Sequence, residues 1–525
     1  MTELFHQTLQ DLFQDIPVRV LSSSGMVPVT VTGIVCDSRN VQPGNVFVAL
    51  TGGSVDGHSF IPAAIERGAV AVVGSQPQKS LPLAYFQVAD TRFALAHLAS
   101  AFYNFPARHL TMIGVTGTDG KTTTANLIFN ILLEAGYPAG VISTVNAVIG
   151  SEVVDTGFHV TTPEAPDVQY YLARMLDAGL THVVLESTSH GLAQQRVTAC
   201  EFDIGTITNI THEHLDYHGS FRAYRDAKAS MFTGLAHTRK KKDRRSLAVL
   251  NRDDQSYEYL HRVTSVEQVD YSLHSGAAVW AQDIQYTPGG VGFSVIGPGF
   301  HLPIQSNLVG AFNVSNCLAA LAATVVGLGV PAAAAQRGIA ALPGVPGRME
   351  RIDMGQNFTA IVDFAHTPNA LRRVLETARQ MTRGRILAVF GSAGLRDREK
   401  RRMMAEVSLE LADLTFLTAE DPRSESLEDI LAEMVLAGAG RGGVEGKNMW
   451  RILDRGQAIR MAIMIAQPGD LVIACGKGHE QSMCFGEVEH PWDDRTALRA
   501  ALAERLGIPG PAMPYLPTRD IANSV

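Results

Sequence analysis

Apolar positions fall into two alternating patterns along the chain. Short continuous runs, among them Ile34-Val35, Val46–Leu50, Val70–Val73, Val183–Leu185, Ile386–Phe390 and Leu471–Ala474, read as buried strands. Between such runs, apolar residues recur at helical spacing, as in Leu127, Ile128, Ile131 and Leu132. Strands that are apolar at every position and separated by helices indicate parallel sheets covered on both faces. The expected fold class is therefore α/β. Pro and Gly interrupt both patterns at Asn104–Arg108 and Pro343–Gly347, where neither helix nor central strand can continue. These breaks predict three domains, 1–105, 106–345 and 346–525.

One apolar run is of a different kind. Residues 317–335 carry no charge. A membrane span needs ~20 strongly apolar residues. This run is rich in Ala and Gly, holds Thr324 and is broken by Pro331, so it predicts a buried helix ending near Gly327.

Composition narrows the picture. With 525 residues, 46% hydrophobic and 18% charged, the chain has the material for several cores and does not resemble a disordered polymer. Its 44 Lys and Arg against 52 Asp and Glu give a formal net charge of −8, which leaves no electrostatic footprint for a duplex nucleic-acid binder. The basic run Arg239–Arg245 reads as a solvated loop. Five cysteines without a CxxC pair form no disulfide framework, which points to a reducing cytoplasm. Met1–Leu12 lacks a basic start followed by an apolar run, so no secretory signal is expected. Gly438, Gly440 and Gly443 spell GxGxxG but follow a helical pattern and open no helix, so they read as a surface loop.

The chemistry concentrates after residue 110. Thr111–Val115 reads as a strand, Thr116-Gly117-Thr118-Asp119-Gly120-Lys121-Thr122-Thr123-Thr124 as a Gly-rich turn, and the residues beyond as a helix stopped by Gly136 and Pro138. Strand, Gly-rich turn, Lys-Thr and helix form a phosphate-loop context. Backbone N–H groups and the helix N-terminus would cradle phosphate oxygens. Lys121 would neutralise the β- and γ-phosphates, and the Thr122 hydroxyl would hold Mg²⁺. The strict GxxxxGK[ST] string is missed by one position, with Val115 standing where its first Gly belongs.

Two further segments are dense in donors. Glu186 follows the strand Thr181–Leu185 at the edge where parallel sheets bind ligands, within reach of the same Mg²⁺. The alternative is a Glu that meets only a helix dipole. His212-Glu213-His214-Leu215-Asp216-Tyr217-His218 suggests zinc superficially, but it is not HExxH and no Cys lies near. Thr161-Thr162 reads as an N-cap ahead of a helix at Ala165. Lys228, in a helical stretch from Tyr224 to Phe232, would ordinarily be a surface residue.

The stretch GTDGKTTT after such a strand resembles the ATP loop of the Mur ligases, which build the bacterial cell-wall peptide. Further matching stretches lie in the same order from about residue 36 to 495. They resemble the branch that adds the third amino acid. The resemblance implies a three-domain architecture with a central P-loop parallel-sheet domain and a Rossmann-like C-terminal domain. It implies an ATP-dependent, ADP-forming ligase that joins a diamino acid to UDP-N-acetylmuramoyl-L-alanyl-D-glutamate through an acyl phosphate, acting as a monomer. Competing expectations are a folylpolyglutamate- or cyanophycin-type ligase and an inactive homologue serving as a binding subunit.

Residue by residue, the resemblance assigns Lys121, Glu186, His214 and Lys228 to catalysis. Thr122, Glu186, His214 and Lys228 would bind two Mg²⁺ ions, Lys228 as a carbamate formed with CO₂. Under this assignment His212 and Glu213 are merely solvated. ATP would meet Gly117, Thr118, Asp119, Gly120, Lys121, Thr122, Thr123, Asn313, Arg348 and Asp363. The UDP-linked substrate would meet Ser38, Thr161, Thr162, Thr188, Gln194 and Arg196. The incoming amino acid would meet Arg396, Glu420, Asp421, Arg423, Gly476 and Glu480. Several positions depart from the family pattern, among them His212, Glu213 and the stretch Gly391-Ser392-Ala393-Gly394 in place of the usual GCGG; two of the departures change charge at the expected ATP and amino-acid sites. Asp119 replaces the usual Asn and puts a negative charge beside the phosphates. Asp421 also replaces an Asn typical of diaminopimelate-adding members; its added charge ranks lysine or ornithine ahead of meso-diaminopimelate, while Arg423 keeps the latter open. Asp493-Asp494-Arg495 matches the family's C-terminal end without a derivable role.

Overall fold

The computed structural model describes residues 7–25, 29–52, 55–78, 81–154, 162–211, 213, 215–239, 244–287 and 289–519. Three principal sheets follow one another along the chain. In the first, Gly33–Val35, Asn45–Val48, Ala71–Gly74 and Ala84–Val88 run parallel, and Val20–Ser24 adds an antiparallel edge. In the third, Thr359–Asp363, Leu471–Cys475, Ile386–Phe390, Leu414–Leu417 and Met449–Arg451 run parallel, with the short Glu350–Arg351 antiparallel at one edge. All six apolar runs read as strands lie in these sheets or in the second one.

The second sheet has eleven strands and is mixed. Seven run parallel, in the order Ala139–Ile142, His182–Glu186, Thr111–Thr116, Ile204–Ile207, Leu247–Asn251, Glu267–Ser272 and Val279–Thr287. Antiparallel hairpins extend both edges, so a purely parallel sheet is corrected to a mixed one. The meander Val279–Thr287, Gly290–Gly297 and Phe300–Ser306 departs because its apolar pattern has period two. Val291, Phe293 and Val295 are buried, while the residues between them are less so. Such alternation suits a sheet with one wetter face.

The uncharged run behaves as expected. A helix at Ala311–Leu321 continues in wider turns to Val326, and a second helix, Ala332–Ala341, follows Pro331. Buried Thr324 satisfies its hydroxyl on the carbonyl of Ala320 at 2.7 Å. Gly338 allows close approach to the phosphate-loop helix: a Cβ there would stand 2.6 Å from Ile131 Cα. Among the described residues no helix is long and apolar enough to cross a membrane.

Two local expectations change. Gly438 lies inside the helix Leu427–Ala439, packed on Met449, and Gly440 and Gly443 form the turn after it. The N-cap before Ala165 is Glu164, not Thr162. Of the basic run, residues 240–243 lie outside the described residues; Arg244 donates to the carbonyl of Leu110 and Arg245 pairs with Glu267.

Candidate active site

The phosphate loop leaves Thr111–Thr116 between two strands parallel to it, so Glu186, Thr116 and Ile207 end at one sheet edge. Two glycines make the turn possible. Gly117 has φ of 148°, and a Cβ would lie 1.8 Å from Thr208 Oγ1; Gly120 has φ of 83°, and a Cβ would lie 2.4 Å from Asn316 Oδ1. The helix Lys121–Glu134 starts without a side-chain cap, which leaves its first N–H groups to an anion. Lys121 Nζ donates to the carbonyl of Thr118 at 2.7 Å, folded over the loop.

Glu186 and Lys228 are buried beneath this turn. Glu186 Oε2 accepts from Thr122 Oγ1 at 2.9 Å and from the N–H of Thr144 at 3.0 Å. Glu186 ends its strand, and Thr188, not Glu186, caps the short helix that follows. Lys228 Nζ donates to the carbonyl of Gly117 at 2.6 Å and lies 4.6 Å from the ring centroid of Tyr224. Burial, reinforced by the charge of Lys121, pushes this amine well below the ordinary lysine range. The Thr122 hydroxyl and Glu186 carboxylate are hard oxygen donors of the kind Mg²⁺ takes. His214 and Thr161 lie outside the described residues, and among the described residues no group of three His, Cys, Asp or Glu forms a metal cluster.

A cleft of about 1820 Å³ opens above the loop, walled by both the second and third sheets' loops. Its walls include Thr118, Asp119, Gly120, Lys121, Thr122, Thr123, Asn313, Arg348 and Asp363 from the expected ATP contacts. They also include Thr188, Gln194 and Arg196 from the substrate set, and all six amino-acid positions. Ser38 lies apart, in a turn capped by Asp37 in the first sheet's lobe. Thr162 sits just behind the wall: its hydroxyl bonds Thr188 Oγ1 at 3.1 Å, and Arg196 donates to its carbonyl at 2.7 Å.

Arg348 and Asp363 come from beyond the second Pro/Gly break. Arg348 Nη2 reaches Thr122 Oγ1 at 3.4 Å, and its guanidinium lies 4.1 Å from the Phe364 ring centroid. Both oxygens of Asp363 accept backbone N–H groups, from Met349 and Ala365, each at 2.7 Å. Asp363 therefore fixes the turn that carries Arg348. Asn313 is likewise committed, donating to Val309 and accepting from Asn316.

In the part of the cleft lined by the expected amino-acid contacts, buried Lys477 holds Asp421 with both oxygens at 3.0 Å and Glu480 at 2.5 Å. Asp421 also accepts the N–H of Cys484 at 2.9 Å. The charge added at position 421 is thus largely answered from within. Arg423 Nη1 donates to the carbonyl of Gly394 at 2.9 Å, which sets the direction of its guanidinium. Buried Glu420 leaves Oε2 without a hydrogen-bond partner among the described residues, and burial raises its pKa. Gly476 has φ of 109°, a conformation that favours Gly, and a Cβ there would fall 2.3 Å from that oxygen.

The Asp-Asp-Arg stretch acquires a role. Arg455 pairs with Asp494 at 2.7 and 2.6 Å and donates to the carbonyls of Ala419 and Cys475 at 3.1 and 2.7 Å. Those carbonyls immediately precede Glu420 and Gly476. A fully buried ion pair therefore aligns both loops.

Several site residues escape the sequence. Glu213 is not a solvated side chain: only 13% of it is exposed, and its Oε1 faces His366 Nε2 at 3.6 Å across the lobes. Its place beside the expected catalytic position His214 is readable from HEHLD, but its burial is not. Arg373 also lines the cleft without a local motif to announce it, and His479 lines it from the Gly476–Glu480 stretch. Burial lowers the His479 pKa to about 3, so it is neutral.

A glycine-rich loop between a parallel strand and a helix, roofed by a second α/β lobe that sends an arginine to the loop's threonine, has the architecture of a two-lobed P-loop enzyme. Comparison with known proteins makes this specific. Residues 30–103 match the model described as Mur ligase family, catalytic domain; 115–324 match Mur ligase middle domain; and 347–478 match Mur ligase, glutamate ligase domain. A Roseiflexus protein named UDP-N-acetylmuramyl-tripeptide synthetase is 42% identical, over 91% of this chain and 96% of its own length. A Geobacillus thermodenitrificans protein named UDP-N-acetylmuramoyl-L-alanyl-D-glutamate–2,6-diaminopimelate ligase is also 42% identical, over 89% and 94%. A solved structure titled with that same ligase name superposes with a TM-score of 0.65 at 30% identity, covering 95% of this chain and 99% of its own. MurF from Acinetobacter baumannii, at 19% identity and a TM-score of 0.64, shares the fold. The chain belongs to the Mur ligase family, ATP-dependent and ADP-forming amide-bond ligases that act in peptidoglycan synthesis.

Proposed function

We propose that this ligase adds the third residue, a diamino acid, to UDP-N-acetylmuramoyl-L-alanyl-D-glutamate. The observation that carries the reading is the single cleft in which the phosphate loop, Thr188, Gln194 and Arg196, and the recess from Arg396 to Glu480 face one another. In this reading the substrate's D-Glu carboxylate takes the terminal phosphoryl group of ATP. The amine of the diamino acid then attacks the acyl phosphate and expels phosphate. Lys121 and Arg348 oppose the charge of the transferring group. Approach of the third lobe excludes water from the acyl phosphate. Ser38 contacts the UDP portion, with Thr161 and Thr162 nearer the peptide. Division at residues 105 and 345 gives each of these tasks its own domain.

Thr122, Glu186 and His214 would hold Mg²⁺, joined by Lys228 once carbamylated. When bound, the metal offsets phosphate charge and supplies Lewis acidity. The buried amine of Lys228, 2.6 Å from the loop carbonyl, supports carbamylation: a carbamate would replace a cation by an anion beside two metal ions. Under ¹³C-bicarbonate the wild type is expected to show a carbamate carbon signal that Lys228→Arg lacks; a signal unchanged in the variant rejects this assignment.

The recess supports a far-end ammonium through Asp421 and Glu480, two acids against Lys477, and a far-end carboxylate through Arg423. Internal pairing of Asp421 weakens the charge argument that ranks lysine and ornithine first. Meso-diaminopimelate satisfies both features, and we rank it first. Tripeptide formation from ATP, the UDP-linked dipeptide and each of meso-diaminopimelate, lysine and ornithine tests the reading. Product with none of them rejects the third-residue assignment, and a preference for lysine or ornithine rejects the ranking.

A further inference from the structure

Asp119 places a carboxylate inside the phosphate loop, where an anion opposes the ligand the loop is built to hold. Its backbone cannot turn the charge away. The N–H of Asp119 donates to Asn209 Oδ1 at 3.0 Å, and its carbonyl accepts from Thr208 Oγ1 at 2.6 Å and Asn209 Nδ2 at 3.1 Å. The main chain is thus bolted on both sides, which fixes where the side chain departs from the loop. The carboxylate faces Arg373, whose Nη1 lies 3.4 Å from Oδ2, with 27% of the Asp119 side chain and 38% of the Arg373 side chain exposed.

Arg373 arrives from the other lobe, on the helix Pro368–Met381 that follows Asp363. Thr377 on the same helix bonds the carbonyl of Arg373 at 2.8 Å. The Thr377 methyl would stand 3.1 Å from a Cβ on Gly310, so this helix face packs directly on the middle lobe. The ion pair therefore spans the junction that encloses the nucleotide.

We propose that Arg373 is a positioning residue for ATP: it neutralises Asp119, keeps the phosphate loop receptive to the triphosphate, and draws the Pro368–Met381 helix onto the loop. This rests on the ATP-site reading above. A cation that cancels a fixed loop carboxylate matters only while that carboxylate is present, which separates it from a direct phosphate ligand.

The test is calorimetric titration of the full chain with a non-hydrolysable ATP analogue and Mg²⁺. Arg373→Gln is expected to weaken binding at least tenfold, and Arg373→Lys to stay within threefold of wild type. In the Asp119→Asn background, Arg373→Gln is expected to cost less than threefold. Equal losses in both backgrounds would assign Arg373 directly to the phosphates and overturn the proposal, as would unchanged affinity in Arg373→Gln. A wild-type chain that binds no analogue overturns instead the nucleotide reading on which the proposal stands.

Discussion

Replacing Asp494 by Leu removes the partner of a guanidinium that has no access to water. Asp494 and then Glu420 hold the Arg455 pKa above its usual value against burial, which acts in the opposite sense. Breaking a buried pair by removing one partner costs about 3–5 kcal/mol, because the remaining charge stays uncompensated. For a lobe of roughly 150–250 residues, about 2–4 °C per kcal/mol converts this to a fall of about 6–20 °C in Tm. Trp492 Nε1 loses its acceptor at the same time, since it donates to Asp494 Oδ1 at 2.8 Å. Replacing both charges, Arg455→Met with Asp494→Leu, should recover part of that stability, because an apolar pair of similar volume avoids the stranded charge while Trp492 Nε1 and two buried carbonyls stay unpartnered. Function should not recover with it. The carbonyls of Ala419 and Cys475 lose their common donor in the double variant, so the loops starting at Glu420 and Gly476 lose alignment. The double variant should show a KM for the diamino acid raised about tenfold or more, while the KM for ATP stays near wild type. Thermal scanning and steady-state kinetics on the three proteins measure this. A Tm loss under about 2 °C in Asp494→Leu, or a diamino-acid KM restored in the double variant, would refute the reasoning.

Other outcomes follow from the same structure. Gly117→Ala puts a Cβ on Thr208 Oγ1 at a backbone φ of 148° and should raise the KM for ATP, with the far-ultraviolet circular dichroism retained; an unchanged KM for ATP contradicts the loop geometry. Glu213→Ala empties a largely buried acidic position at the lobe junction and should reduce tripeptide formation at least tenfold, whereas wild-type rates return Glu213 to a solvated role. His97, tilted against Phe93 with ring centroids 4.4 Å apart, has its pKa lowered to about 4 by burial and then by Arg108. Because the folded value lies below the unfolded ~6.5, the unfolded chain takes up the proton first; stability present above pH ~6.5 is lost as pH falls toward 4. His97→Gln should therefore lose less stability than wild type between pH 7 and 5, by about 1 kcal/mol after allowance for solvent screening, measured by denaturant midpoints at both pH values.

What the sequence determined is local. Apolar runs bounded by Gly and Pro produce the strands and their helices because period and burial are properties of a short segment. The strand–turn–helix at Gly117, Gly120, Lys121 and Thr122 was readable because a tight turn with exposed N–H groups needs those residue types within six positions. Glu186 was readable because the C-terminal end of a parallel strand has a fixed relation to that turn. The antiparallel meander is also visible, once period two is separated from continuous burial.

What the tertiary structure decided is which charges meet. Asp119 and Arg373 are 254 positions apart and Glu213 and His366 are 153 apart, so neither pairing has a local signal. Asp421 carries the same formal charge on the page whether it faces a ligand or Lys477; only packing selects the lysine. The same holds for Arg455, whose helical setting says nothing of the two carbonyls it joins. Electrostatic partners are set by distance and dielectric, and both exist only once the lobes have come together.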